Sequence, residues 1–191
     1  IGFVIIANQV ASSFRFRWDL TEEQRFSISP PTKELLSGLE ETVYVEVFLE
    51  GELPADFQRF RNSIQETLEE FEAYADGKVQ FKFTDPSQVP NEKARNEYYT
   101  YLARSGIQPN DLTYKIDEQL TKKRIFPGAI VSYFGGEKGV MLLKGNQSRD
   151  KQEIINQSIE GVEYHLATAI KELSSDAKPK IGLIRGHNEL D

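Results

Sequence analysis

Two histidines, a Tyr-Tyr-Thr-Tyr run and several pairs of adjacent carboxylates are the side chains here with the means to do chemistry. His187 lies in "RGHNELD" with Glu189 and Asp191 close behind, in a loop expected after a strand end, where functional groups often gather. One imidazole and two carboxylates make a thin metal set, and a chain with two histidines and no cysteine offers no multi-His or thiolate site. No metal and no cofactor are therefore expected. His165, in "VEYHLATAI", sits beside a helical apolar stripe, where a packed or half-exposed histidine is the ordinary outcome. Glu22/Glu23, Glu40/Glu41 and Glu69/Glu70 are neighbours in sequence. Neighbours on a helix diverge, so these pairs read as solvated faces rather than acid–base dyads. Tyr98, Tyr99 and Tyr101 could form a stacking platform for a sugar, but at most two share a helix face, and packing of helix on sheet is the expected use. Gly135, Gly136 and Gly139 miss the spacing and the Lys-Ser/Thr of a phosphate loop and fit a hairpin turn. With no nucleophile–base pair in view, catalysis is not expected.

The elements that would position these groups are legible from periodicity. "TVYVEVFLE" alternates, with Val43, Val45, Val47 and Leu49 on one side and Tyr44, Glu46 and Phe48 on the other: a strand. Phe57, Phe60, Ile64, Leu68 and Phe71 recur at three- and four-residue steps and predict a helix over 55–75. "KVQFKFTDP" predicts a second strand that stops at Pro86, and a helix is expected over 91–105, ending at Gly106. "LTYKIDEQL" is an irregular strand or the start of a hairpin, and "IFPGAIVSYFGGEKGVMLLK" is a hairpin. Ile155, Ile159, Val162, Leu166, Ile170 and Leu173 predict a last helix over 149–173. "SSDAKPK" is a linker, and 179–191 reads as the first strand of a second α/β unit. The expected fold class is thus α/β: a β-α-β-α-β-β-α sheet domain over 41–178 with helices on its faces.

Composition sets the outer limits. The 191 residues are 39% hydrophobic and 28% charged, ordinary for a globular chain. A net charge of −7 leaves no basic stripe for a phosphate backbone, so no nucleic-acid partner is expected. The chain opens at Ile1 and its single methionine is Met141, as expected of a fragment or processed product. "IGFVIIANQVA" spans about half of the ~20 apolar residues a membrane helix needs. By itself it is a buried element or the last turns of a membrane anchor. Behind it, Phe14, Phe16 and Trp18 alternate with Arg15 and Arg17, a pattern suited to the headgroup layer. Residues 1–18 are therefore a candidate membrane-proximal segment. Residues 19–40 follow as a short helical stalk with two start signals, Thr21 with Gln24 and Ser29 with Pro30.

Two resemblances add to this reading. The element order, with Pro127 just before the penultimate hairpin, resembles the thioredoxin-like fold, whose corresponding proline is cis and faces the active site. The dithiol of that family would fall in "EGELPADF", which has no cysteine, so redox chemistry is not implied. "RWDLTEEQRFSISPPTKELLSGL" and the stretch from "VYVEVFLEG" to "FKFTDP" resemble the GldG family, auxiliary substrate-binding-like proteins of ABC transporters in gliding bacteria. The shared pattern falls on Asp19, Leu20, Thr21, Arg25, Phe26, Ser27, Ile28 and Ser29, while "GHNELD" carries Asn188 where that family usually has Gly. The resemblance implies a longer protein anchored in the inner membrane, its domain on the periplasmic side, beside a permease and an ATPase. It also implies assembly rather than catalysis, with Arg15, Arg17 and Trp18 near the membrane or permease. A homo-oligomer is compatible with it. The alternative is a small-molecule or glycan receptor for the transporter, with Pro127, His187 and Glu189 in its ligand loops.

Overall fold

The computed structural model describes residues 28–116, 119–144 and 150–175. A short helix α1 (Pro30–Ser37) precedes strand β1 (Val43–Val47), helix α2 (Ala55–Tyr74) and strand β2 (Val79–Phe83). A 3-10 turn (Pro86–Gln88) leads to helix α3 (Glu92–Arg104) and a ribbon of β3 (Asn110–Ile116) and β4 (Gln119–Ile125). Strands β5 (Gly128–Tyr133) and β6 (Gly136–Met141) and the long helix α4 (Lys151–Ser174) complete the described chain.

Four strands form one mixed sheet in the order β2-β1-β5-β6, and β3 and β4 pair separately. β1 runs parallel to β2, with Val45 opposite Phe81, and antiparallel to β5, with Val45 opposite Val131. The class is α/β, as expected. "LTYKIDEQL" belongs to the separate ribbon, which is inserted between α3 and β5.

The alternation of β1 decides how the layers stack. Val43, Val45, Val47 and Leu49 are buried in the main core with the α2 stripe Phe57, Phe60, Ile64, Leu68 and Phe71 and with Ile155, Val162, Leu166 and Ile170 of α4. Each such side chain stabilises by about 1.5–3 kcal/mol when fully removed from water, so this face carries most of the cohesion. Phe48, one step out of phase, enters a smaller cluster on the other face with Leu102, Ile107, Phe126 and Ile130. Among the described residues, α3 is the helix on that second face.

Of the segment expected as a stalk, the described part, residues 28–40, packs onto the domain, with Ile28, Leu36 and Leu39 in the main core, and residues 19–27 lie outside the described residues. The β5–β6 turn is made by Phe134 (φ 49°) and Gly135 (φ 76°), the two left-handed positions of a tight hairpin turn. Gly139, expected in that turn, lies instead in β6, where a Cβ would overlap the Ser105 carbonyl oxygen. Glycine is what lets β6 approach the end of α3.

Candidate functional site

Three places could carry function: the carboxyl ends of β1 and β2, the groove between α1 and α4, and the sheet face that α3 leaves uncovered. The first is where the thioredoxin-like resemblance puts a dithiol. Glu50 and Gly51 follow β1, and Asp85 follows β2. Asp85 accepts from Ser87 N and Oγ at 3.0 and 2.7 Å and from Lys123 Nζ at 3.0 Å. Lys123 also donates to the Glu50 carbonyl at 3.2 Å, and Tyr114 of the ribbon donates its hydroxyl to the Glu52 carbonyl at 3.1 Å. The Asp85 and Lys123 side chains are 7% and 15% exposed. Gly51 (φ +89°) fits over them because it lacks a Cβ, which would stand 2.5 Å from Asp85 Oδ2 and 2.7 Å from Lys123 Nζ. Beside this pair, Arg61 donates to Glu50 at 2.7 Å while its guanidinium lies 4.1 Å from the Phe83 ring.

Burial pushes the Asp85 carboxyl up, but the hydrogen bonds from Ser87 and Lys123 outweigh it and hold it below the usual carboxylate range. Burial likewise opposes Glu50, and the Arg61 and Gly51 donors bring it below the usual range as well. Carboxylates held ionised and already paired are poor proton donors at neutral pH. The strand ends are a polar lock that seats the β3–β4 ribbon.

Pro127 lies next to this region as a buried residue in a trans peptide, not the cis form of the thioredoxin-like resemblance. Its carbonyl accepts from Leu142 N and Leu143 N at 3.0 and 3.1 Å, so it joins the β5 entry to the end of β6. His187, Glu189, Arg15, Arg17 and Trp18 lie outside the described residues. His165 is half-buried in α4, and burial first, then Lys144, hold its imidazole below its ordinary pKa.

The second place is a cavity of about 1180 Å³ bounded by α1, α4 and the β5–β6 turn. α1 forms because Pro30 opens it with a preset φ and Gly38 follows its last turn. Ser29 does not cap it by side chain. The Ser29 hydroxyl instead meets Thr32 Oγ1 at 3.0 Å, and Glu163 of α4 reaches the helix start. Glu163 accepts from Ser29 N at 2.8 Å and Thr32 Oγ1 at 2.7 Å. A carboxylate there also meets the positive end of the helix dipole. Burial raises the Glu163 pKa, yet the Ser29 and Thr32 bonds outweigh it and the group is held low. At the far end, Tyr133 Oη accepts from Glu40 N at 3.2 Å.

Leu35, Leu39, Ala167 and Leu173 line the apolar part of this groove. Phe134 and Tyr164, 65% and 69% exposed, stand at its lips. Glu34, Glu40 and Glu160 add carboxylates, with Lys171 as the cation among the lining residues. Sequence periodicity did not single this place out. Its signal was weak but present: Tyr164 lies off the apolar stripe of α4, and Phe134 lies at a hairpin tip.

The third place is a cavity of about 490 Å³ on the α3 side of the sheet. Pairing lines up Gln80, Tyr44, Ser132 and Glu137 across four strands, with Tyr44 56% exposed. Tyr98 and Tyr101 wall it, their rings parallel within 5° at 6.2 Å, and Tyr101 donates to Glu137 at 3.0 Å. Burial, reinforced by the Glu46 carboxylate, pushes the Tyr98 phenol up to about 12. Tyr98 meets Phe48 edge-on at 5.9 Å and Tyr99 meets Phe126 at 4.8 Å, so helix–sheet packing takes two of the three tyrosines.

Residues 22–132 match the model of a family described as a domain of unknown function, DUF7088. The chain belongs to that family. The DUF7088 match runs from before α1 into β5, so it includes the strand-end lock and α1 but stops short of α4. An uncharacterized protein of Borreliella burgdorferi (strain ATCC 35210) is 28% identical over 192 residues, covering all of this chain. This chain spans 33% of the length of that relative. No solved structure matches. Among the described residues, no helix is long and apolar enough to cross a membrane, and no group of three His, Asp or Glu side chains could hold a metal ion.

Proposed function

We propose that this DUF7088 chain is a non-catalytic, extracytoplasmic auxiliary part of an ABC transporter associated with gliding motility, working by protein–protein assembly. The observation that carries the assembly part is the contrast between the filled strand ends and the α1–α4 groove. The polar groups that could do chemistry at the strand ends are bonded to one another. The groove presents apolar side chains, two exposed aromatics and carboxylates that form no ion pair among the described residues. Exposed apolar surface rimmed by polar residues is the usual mark of a contact site for another protein. The transporter part rests on the GldG-like opening segment, and with it come a membrane anchor, the periplasmic side of the inner membrane, and permease and ATPase partners. Detergent co-purification of the full-length tagged protein tests it. A permease and an ATPase should copurify, and Phe134→Ser with Tyr164→Ser should reduce their recovery severalfold. Absence of transporter subunits would remove the transporter reading, and equal recovery by the double variant would remove the groove from it.

One observation favours a second reading, as a glycan or small-molecule receptor. Tyr44 lies exposed in a row of hydrogen-bonding side chains on an open sheet face. Saturable calorimetric binding of a neutral oligosaccharide such as maltohexaose, abolished by Tyr44→Ala, would support that reading over assembly.

A further inference from the structure

We infer that the α1–α4 groove is a docking site for the chain's own segment Phe14-Arg15-Phe16-Arg17-Trp18, which lies outside the described residues. Charge is the first argument. Glu34, Glu40 and Glu160 line the groove, and none forms an ion pair among the described residues. Glu163 is held low by the Ser29 and Thr32 bonds and by nearby Lys33, so Lys33 and Lys171 together face four carboxylates. The stretch from Ala11 to Trp18 carries two arginines and no acid.

The second argument is the form of the apolar surface. Leu35, Leu39, Ala167 and Leu173 offer a floor for flat rings, and the exposed faces of Phe134 and Tyr164 suit guanidinium stacking. A segment alternating aromatic and Arg presents both kinds of group together. Its alternation sends rings and cations to opposite sides when extended, one toward the floor and one toward the carboxylate rim.

Reach is the third argument. Residues 19–27 join Trp18 to Ile28, which is fixed in the main core, and about nine extended residues span up to roughly 30 Å. The eight residues of α1 that run along the groove cover only about 12 Å. The tether is long enough to lay the segment along α1 in either direction. A tethered segment also needs little intrinsic affinity, because its effective concentration is in the millimolar range.

The same residue types suit a lipid headgroup layer, so the experiment must separate the two destinations. Trp18 is the single tryptophan of the chain and reports on the segment directly. Its emission and acrylamide quenching are read in the 191-residue chain, without detergent or lipid. Docking predicts blue-shifted emission and low quenching, both independent of protein concentration. Glu34→Lys with Glu160→Lys should shift the emission red and raise quenching severalfold while the far-UV dichroism stays unchanged. Arg15→Glu with Arg17→Glu should do the same, and combining all four reversals should restore protection. This rescue guards against a variant that simply loosens the fold. A water-exposed Trp18 in the wild-type chain would overturn the inference. So would protection that appears only with phosphatidylethanolamine/phosphatidylglycerol vesicles, or that vanishes on dilution. The inference rests on the groove being a recognition surface, as in the assembly reading. Trp18 is read with no partner present, so a negative result here leaves the co-purification result intact.

Discussion

The lock at the strand ends and the groove between α1 and α4 are built from similar side chains and have opposite character. Both contain carboxylates, and both are places where a helix or ribbon meets the rest of the domain. At the strand ends, Asp85 and Lys123 are nearly removed from water and each has its partners in place. In the groove, Glu163 is tied down by the start of α1, while Glu34, Glu40 and Glu160 form no ion pair among the described residues. The difference teaches where to look for function in this molecule. A buried pair whose donors and acceptors are all used can fix geometry but has nothing left to offer a substrate. An open surface with charge left over can still recognise something.

The largest test of that contrast is Lys123→Met. It leaves Asp85 buried without its cation, and stability should fall by about 3 kcal/mol, measured by urea unfolding. A loss near zero would mean the ribbon is seated by Leu112 and Ile125 alone. The lock should also show itself in acid. The folded pKa of Asp85 lies below its ordinary value, so its contribution is fully present above about pH 4 and is lost as pH falls through the folded value. The stability gap between wild type and Asp85→Asn should therefore narrow as pH falls below about 4. Parallel pH profiles would show that the pair contributes nothing. In the groove, Glu163→Ala should cost less, about 1–2 kcal/mol, since it removes two hydrogen bonds at a partly solvated site. Amide exchange should then rise in α1 while β1 stays protected. The smallest effect belongs to Phe134→Ser and Tyr164→Ser, which should change stability by no more than about 0.5 kcal/mol each. Their consequence should appear only in partner recovery.

Much of the scaffold was legible along the chain because it depends on local repetition. The 2-residue period of Val43, Val45 and Val47 and the 3–4-residue steps from Phe57 to Phe71 each specify one buried face, and those faces are buried as expected. Tyr98 and Tyr99 pack against the sheet, the use favoured over a sugar platform, because a helix laid across a sheet must bury one of its faces. The β3–β4 ribbon was half visible: "LTYKIDEQL" carried strand character, but pairing with its own continuation rather than with the main sheet is a choice between distant alternatives.

What the linear chain determined, then, is the helices and the four strands of the main sheet, their order, the apolar faces that repeat along them, and the exclusion of cysteine chemistry, since these follow from residue type and short-range spacing. Only the tertiary structure decided that α1 joins the main core rather than standing off as a stalk. It also set Lys123 beside Asp85 and turned Glu163 toward the start of α1. Each of those contacts joins residues far apart in the chain, 38 positions for Asp85 and Lys123 and 134 for Ser29 and Glu163. No local pattern encodes such a meeting. It is fixed by which faces must be buried together, and the polar groups carried along with those faces then find the partners that burial obliges them to have.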